Sequence, residues 1–278
     1  MQIVNALNYA RQQLDATGST RLDTEILLCS VLKCNRTNLY TYPEQELSSS
    51  DIESFNKLIA LRSEGLPIAY LTEQKEFWSL SFYVNQDTLI PRPETELLVE
   101  TSLKYIPTNS VKEILDLGTG TGAIAIAIAS ERPQANITAT DINDGTLKIA
   151  KLNADSHQIK NIDFKKADWF DIANINSYDL IVSNPPYIST GDPHLKQGDV
   201  RFEPIAALTS GEDGLDDLRT IIQESSKHLN THGWLLLEHG YNQGDVVRQL
   251  LIENGFTSPS TIKDYNGLER ISFGQLAL

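Results

Sequence analysis

Apolar residues recur at helical spacing through the first 66 positions. Ile3, Val4, Leu7, Ala10 and Leu14 form one series, and Leu22, Ile26, Leu27, Val31 and Leu32 a second. Ser50-Asp51-Ile52-Glu53 reads as a capping box opening a helix that carries Phe55, Leu58, Ile59 and Leu61, and Gly65 followed by Pro67 ends it. Short amphipathic helices are marginal alone, so these segments are expected to pack together as a small bundle. Residues 76–90 then become dense in aromatic and branched side chains: Phe77, Trp78, Leu80, Phe82, Tyr83 and Val84, with Asn85-Gln86-Asp87 as a turn signal. That pattern predicts a β-hairpin bridging two domains, with Trp78 in the core between them.

From residue 94 the period alternates between helix and strand. Helices are expected over 94–106, 123–129, 146–153, 215–229 and 245–254. Strands are expected over 113–117, 136–142, 162–167, 178–183, 234–238, 261–265 and 270–273. Regular alternation implies an α/β fold with a mostly parallel, doubly wound sheet. The last two strands have no helix between them and suggest an antiparallel edge pair. The organisation that follows is a helical domain over 1–72, a hairpin linker over 73–93 and an α/β domain over 94–278.

Composition narrows this picture. The chain has 278 residues, 40% of them hydrophobic, enough for packed cores and against disorder as the main description. No run approaches the roughly 18–20 apolar residues of a membrane span. The N-terminal stretch lacks a secretory signal pattern. Cys29 and Cys34 have no Cys or His partners in the sequence, which argues against a disulfide framework or zinc site and fits a reducing cytoplasm. The net charge of −14 lowers the expectation of a nucleic-acid grip through phosphates and favours a protein or small-molecule substrate. The five histidines are scattered, so neither metal binding nor His general-base catalysis is expected, and His239 reads as a structural residue at a strand end.

Candidate chemistry gathers at two places. Asp116-Leu117-Gly118-Thr119-Gly120-Thr121-Gly122 leaves a strand and opens a helix, where glycines admit a ligand to the backbone and free amides face it. Asp141 ends the next strand, where a carboxylate can accept both hydroxyl protons of a ribose. The bland alternative is a tight turn that needs glycine for packing. The loop alone leaves NAD and S-adenosylmethionine both open, although Asp116 ahead of the first glycine leans to the latter, since its carboxylate can order the loop and reach an ammonium. The second place is Asn184-Pro185-Pro186-Tyr187, after the strand over 178–183. Two prolines remove donors and stiffen the backbone just outside the carboxyl end of a strand, where ligands bind in this sheet type. Asn184 and the Pro185 carbonyl can then accept from one planar NH2 group, and Tyr187 offers it a flat face.

These residues resemble the class I S-adenosylmethionine-dependent methyltransferases of exocyclic and amide nitrogens. Ile90-Pro91-Arg92-Pro93-Glu94-Thr95-Glu96, Phe77-Trp78, Gly214-Leu215-Asp216 and Leu237-Glu238-His239-Gly240 narrow the resemblance to the PrmC/HemK family of bacterial release factor glutamine methyltransferases. The likeness spans both domains, with no departure at the motif positions. It implies methylation of the glutamine of the Gly-Gly-Gln loop in class 1 peptide chain release factors, with S-adenosylmethionine becoming S-adenosylhomocysteine. It implies cofactor contacts from Asp116, Gly118, Thr119, Gly120, Thr121, Gly122, Asp141, Trp169 and Asn184. Asn184, Pro185, Pro186 and Tyr187 would form the glutamine pocket, with Asn184, Pro185 and Tyr187 acting in catalysis and Trp169 against the adenine. No metal, nucleic acid or membrane partner is implied. The competing readings are a nucleic acid adenine-N6 methyltransferase, which needs basic grooves and a recognition insert; an NAD oxidoreductase, which has no use for Asn-Pro-Pro-Tyr; and a nucleotide-binding module without catalysis.

Overall fold

The computed structural model describes residues 1–14, 19–172 and 177–277. They fall into two compact units, Met1–Gln74 with His194–Phe202, and Lys75–Pro193 with Glu203–Leu278. The first unit holds helices α1 (Ile3–Gln13), α2 (Thr20–Leu32), α3 (Arg36–Thr41), α4 (Ser49–Ser63) and α5 (Ile68–Thr72). Its core is the apolar stripe of the long helices: Ile3, Leu7 and Ala10, then Leu27 and Leu28, then Phe55 and Ile59. The capping box starts two residues earlier than the sequence suggested. Ser48 is the N-cap; its hydroxyl accepts from the Asp51 amide at 3.1 Å, and Asp51 Oδ2 accepts from the Ser48 amide at 3.2 Å. Three consecutive serines offer alternative starts, and the first gives the longest helix. Helices α3 and α5, six and five residues long, were too short to show a period.

The buried carboxylates of this bundle, Glu25 and Asp23, are paired with arginines, as burial demands. Glu25, fully buried on α2, meets Arg11, Arg21 and Arg36 and accepts from the Tyr40 hydroxyl. Arg62 on α4 reaches Asp23 at 2.9 Å through Nε and Asp199 at 3.0 Å through Nη1. The second pair ties the 194–202 segment into the helical unit.

The second unit opens with a hairpin, β1 (Gln74–Phe77) and β2 (Leu80–Tyr83). Its turn is Trp78-Ser79, with φ of +53° and +57°, the geometry that matches the twist of two-residue hairpins. Asn85–Asp87 belongs instead to a separate turn closed by the Thr88 amide on the Asn85 carbonyl at 3.1 Å. Phe77 and Phe82 enter the core of the α/β unit. Trp78, expected in an interdomain core, packs on that same cluster, and its indole donates to Glu131 at 3.1 Å.

Helices α6 (Glu96–Tyr105), α7 (Ala123–Glu131), α8 (Asp144–Ser156), α9 (Asp216–Ser225) and α10 (Gly244–Glu253) alternate with strands β3 (Glu113–Leu117), β4 (Asn136–Asp141), β5 (Ile162–Lys166), β6 (Tyr178–Ser183), β7 (Leu229–Glu238), β8 (Phe256–Lys263) and β9 (Glu269–Leu276). Among the described residues these seven strands form one sheet, in the order β5-β4-β3-β6-β7-β9-β8. The first five pair in parallel. The edge pair is present, with β9 inserted antiparallel between β7 and β8. Strand β7 begins at Leu229, earlier than expected, because Leu229 pairs with Tyr178 before the register slips through a polar stretch that holds His232 at φ +64°. Alternate strand residues serve opposite faces: Ile114, Leu180 and Leu236 join one core, and Leu115, Ile181 and Leu235 the other. Helix α7 is buried from Ala123 through Ala129, as an all-apolar helix must be. Among the described residues no helix is long and apolar enough to cross a membrane.

Candidate functional site

The chain runs outward from β3 to β4 and β5, then crosses back to β6 beside β3. Ligands bind at such a reversal, outside the carboxyl ends of the strands. The ends lie level here: Leu117 pairs with Thr140 and with Ser183, and Asp141 with Lys166. Each is followed by a candidate segment.

The loop after β3 is fixed by the Thr119 amide on the Thr140 carbonyl at 2.8 Å and the Gly122 amide on the Thr119 carbonyl at 2.9 Å. Gly120 has φ +57°, and a Cβ there would meet nothing within 4 Å, so its backbone lies open to a ligand. Gly122 has φ +81° and serves packing: a Cβ would stand 2.9 Å from Ile126 Cδ1 and 3.2 Å from Ala150 Cβ. Gly118 lies against the Trp169 ring.

Asp116 is fully buried under this loop. Its Oδ2 accepts from the Thr119 hydroxyl at 2.6 Å, while Oδ1 has no hydrogen-bond partner. Burial pushes its carboxyl up to about 7, against the Thr119 hydroxyl and, more weakly, the Ala125 amide. Asp141 at the end of β4 accepts from the Gly120 amide at 3.1 Å and the Asn143 amide at 3.0 Å. Burial raises its carboxyl, and the amides of Asn143, Gly120 and Ile142 oppose the rise.

After β6, the Asn184 side-chain amide donates from Nδ2 to Thr95 Oγ1 at 3.2 Å, and Thr95 donates to Glu238 Oε2 at 2.7 Å. Tyr187 donates to the other oxygen, Oε1, at 3.4 Å. Burial pushes the Glu238 carboxyl up to about 7 and the Tyr187 hydroxyl higher than usual; for Glu238, the Thr95 hydroxyl and the Arg270 charge oppose it. Arg92 lines the cleft and pairs with buried Glu203. His239 is fully buried at the end of β7, donating to or accepting from Ser272 Oγ at 2.7 Å, and burial lowers its pKa.

A cleft of about 350 Å³ joins these pieces, within the usual range for ligand pockets. Gly118, Thr119, Gly120, Thr121, Asp141, Trp169, Asn184 and Pro186 line it. The lining does not include four further expected residues, Asp116, Gly122, Pro185 and Tyr187. Asp116 therefore orders the loop from beneath, and Tyr187 faces Glu238 with its hydroxyl.

Three residues escaped the sequence reading. Thr95 lines the cleft and holds Asn184. Asn153 on α8 clamps both backbone groups of Tyr83, at 2.8 and 3.0 Å, and the Thr121 carbonyl at 2.9 Å, joining hairpin to glycine loop. An asparagine within the apolar stripe Ile149, Ala150, Ala154 was the available signal. Gln243 donates to the carbonyls of Tyr187 at 3.0 Å and Gly214 at 3.2 Å and accepts from the Gly240 amide at 2.8 Å. One side chain thus ties together three strings that lie far apart in sequence.

The Methyltransferase small domain model matches residues 93–199, and the PrmC N-terminal domain model matches residues 5–72. A methyltransferase structure from Pyrococcus furiosus superposes with a TM-score of 0.55 over 80% of this chain and 98% of that one, at 19% identity, a likeness of fold alone. The protein has the class I S-adenosylmethionine-dependent methyltransferase fold, with an added N-terminal helical unit. The release factor glutamine methyltransferase of Pseudomonas aeruginosa is 47% identical over 265 residues, 95% of this chain and 96% of that protein. That of Escherichia coli K12 is 45% identical over 275 residues, 99% of each. The chain belongs to the release factor glutamine methyltransferase family.

Proposed function

We propose that this enzyme methylates the side-chain amide nitrogen of the glutamine in the Gly-Gly-Gln motif of class 1 peptide chain release factors, in the cytoplasm. The observation that carries this is the placement of Asn184 and Pro186 on the same cleft as the glycine loop and Asp141. Asn184, an acceptor for a planar NH2 group, thus lines the same space as the expected cofactor cradle.

The residues fit S-adenosylmethionine. Gly120 offers backbone without a side chain in the way, Asp141 lines the cleft with a carboxylate able to take ribose hydroxyls, and Trp169 lies over Gly118 as a flat wall for the adenine. Asp116 Oδ1, buried and unpartnered, adds negative potential beneath the loop where a cationic ligand would sit. When bound, S-adenosylmethionine supplies an electrophilic methyl group on a sulfonium sulfur.

The chain's own work follows from the weakness of an amide nitrogen as a nucleophile. Its lone pair is delocalised, and no side chain strips its proton usefully at neutral pH. Asn184 and the Pro185 carbonyl accept the two N–H groups, hold nitrogen in line and stabilise the positive charge that develops on it. The proton leaves after transfer. The helical unit contributes contacts to the folded protein substrate, because remote contacts supply positioning energy that a short peptide lacks.

Intact-mass analysis of a release factor incubated with the enzyme and S-adenosylmethionine tests this. We expect a gain of one methyl group, localised to the glutamine, and poor reaction of a short peptide. Methyl transfer to duplex DNA at a rate matching the protein substrate would overturn the reading in favour of an adenine methyltransferase.

A further inference from the structure

We propose that Thr95 and Glu238 are positioning residues that decide which end of the Asn184 side-chain amide faces the reacting nitrogen. The inference rests on the methyl-transfer reading above.

A side-chain amide has a donor end and an acceptor end of nearly the same shape. Half a turn about its last bond exchanges them. Only the oxygen end suits a substrate NH2 group; the nitrogen end would set donor against donor. Something must therefore fix the orientation of Asn184.

The hydrogen-bond chain behind it does so by elimination. Glu238 is 1% exposed at the end of β7. An ionised carboxylate only accepts, so the single proton of Thr95 Oγ1 is committed to Glu238 Oε2, at 2.7 Å. Thr95 can then offer Asn184 nothing but a lone pair. Asn184 meets it with Nδ2 at 3.2 Å, which leaves Oδ1 for the cleft. Reversing the amide would oppose two acceptors. The second carboxylate oxygen receives the Tyr187 hydroxyl at 3.4 Å, so Glu238 holds both ends of the Asn-Pro-Pro-Tyr motif.

The device depends on the charge of Glu238. Arg270 on β9 favours the ionised form, and Glu94 before α6 opposes it. Tyr187 faces Glu238 from the motif loop, with Arg92 and Arg270 in turn facing Tyr187, and His239 follows just past the strand end, its pKa lowered by burial. Protonated Glu238 would turn its own O–H to Thr95, free the Thr95 proton and erase the direction of the chain.

The test uses the full-length enzyme with an intact release factor. Thr95→Val should lower kcat about ten- to a hundredfold, while the KM for release factor and the affinity for S-adenosylmethionine stay within about twofold. Thr95→Ser, which keeps the hydroxyl, should restore the rate. Wild-type kcat should fall as pH drops below about 7, and Glu238→Gln should be slow and flat over the same range. Wild-type kcat in Thr95→Val, an equal loss in Thr95→Ser, a parallel loss of cofactor affinity, or an unchanged acid limb in Glu238→Gln would each overturn the relay. An inactive wild type would overturn the relay together with the reading it rests on; an active wild type with an equally active Thr95→Val would overturn the relay alone.

Discussion

Gln243 offers the sharpest test of how the Asn-Pro-Pro-Tyr segment is held. The side chain is 8% exposed and makes three hydrogen bonds, all to backbone groups: donors to Tyr187 and Gly214, an acceptor for Gly240. Space there is tight, since a Cβ on Gly214 would lie 2.3 Å from the Tyr187 carbonyl oxygen. Gln243→Ala removes three bonds worth about 1 kcal/mol each net and leaves their backbone partners short of a partner, so a loss of about 3–4 kcal/mol is expected. Gln243→Glu separates direction from shape. Its carboxylate keeps the acceptor for Gly240 but sets an oxygen against each of two carbonyl oxygens. Near neutral pH it should be no more stable than the alanine variant, and acidification, which restores a donor, should narrow its deficit against wild type. Urea unfolding of the three proteins at two pH values reads this directly. Turnover should fall with stability in both variants, because Tyr187 ends the motif that Asn184 begins. An alanine variant within about 0.5 kcal/mol of wild type, or a glutamate variant as stable as wild type at neutral pH, would refute the reasoning.

Two further perturbations probe the cofactor side. Asp141→Ala should weaken S-adenosylmethionine by about 1.5–3 kcal/mol, the scale of a hydrogen bond to a charged group, and calorimetry giving unchanged affinity would remove Asp141 from the cradle. Asp116, with its carboxyl raised from 3.8 to about 7, binds its proton more tightly folded than unfolded. Its contribution to stability is therefore full below about pH 4 and is lost as pH rises through about 7. Asp116→Asn should gain on wild type across that window by up to about 4 kcal/mol, and an equal difference at pH about 5 and pH about 8 would show that Asp116 titrates normally.

What the sequence revealed, and what it hid, follows from the range of the interactions. Strands β3 and β6 stood out to the residue, because central parallel strands are short apolar runs with turn chemistry on both sides. The glycine loop and the proline pair stood out because residue types that bend or stiffen the backbone act on their own neighbours. The hairpin turn was misplaced because Trp78 and Ser79 adopt positive φ without the usual Asn-Gly signature, while Asn85–Asp87 carries that chemistry for a different turn. Helix α9 stops at Ser225, and the four residues beyond it went to a turn and a bulged strand that only the pairing of Leu229 with Tyr178 dictates.

The same division runs through the site. The expected residues that line the cleft belong to local motifs. Those that aim them reach across 56 residues from Gln243 to Tyr187, 70 from Asn153 to Tyr83 and 143 from Glu238 to Thr95. No local period announces such a pair. Yet the chemistry depends on it. An amide nitrogen gains little from acid–base help, so its methylation is a matter of orientation. Asn184 alone specifies that an amide stands at the cleft. In the relay proposed above, which face it shows is decided by one hydroxyl proton, and that proton is committed by a carboxylate on another strand.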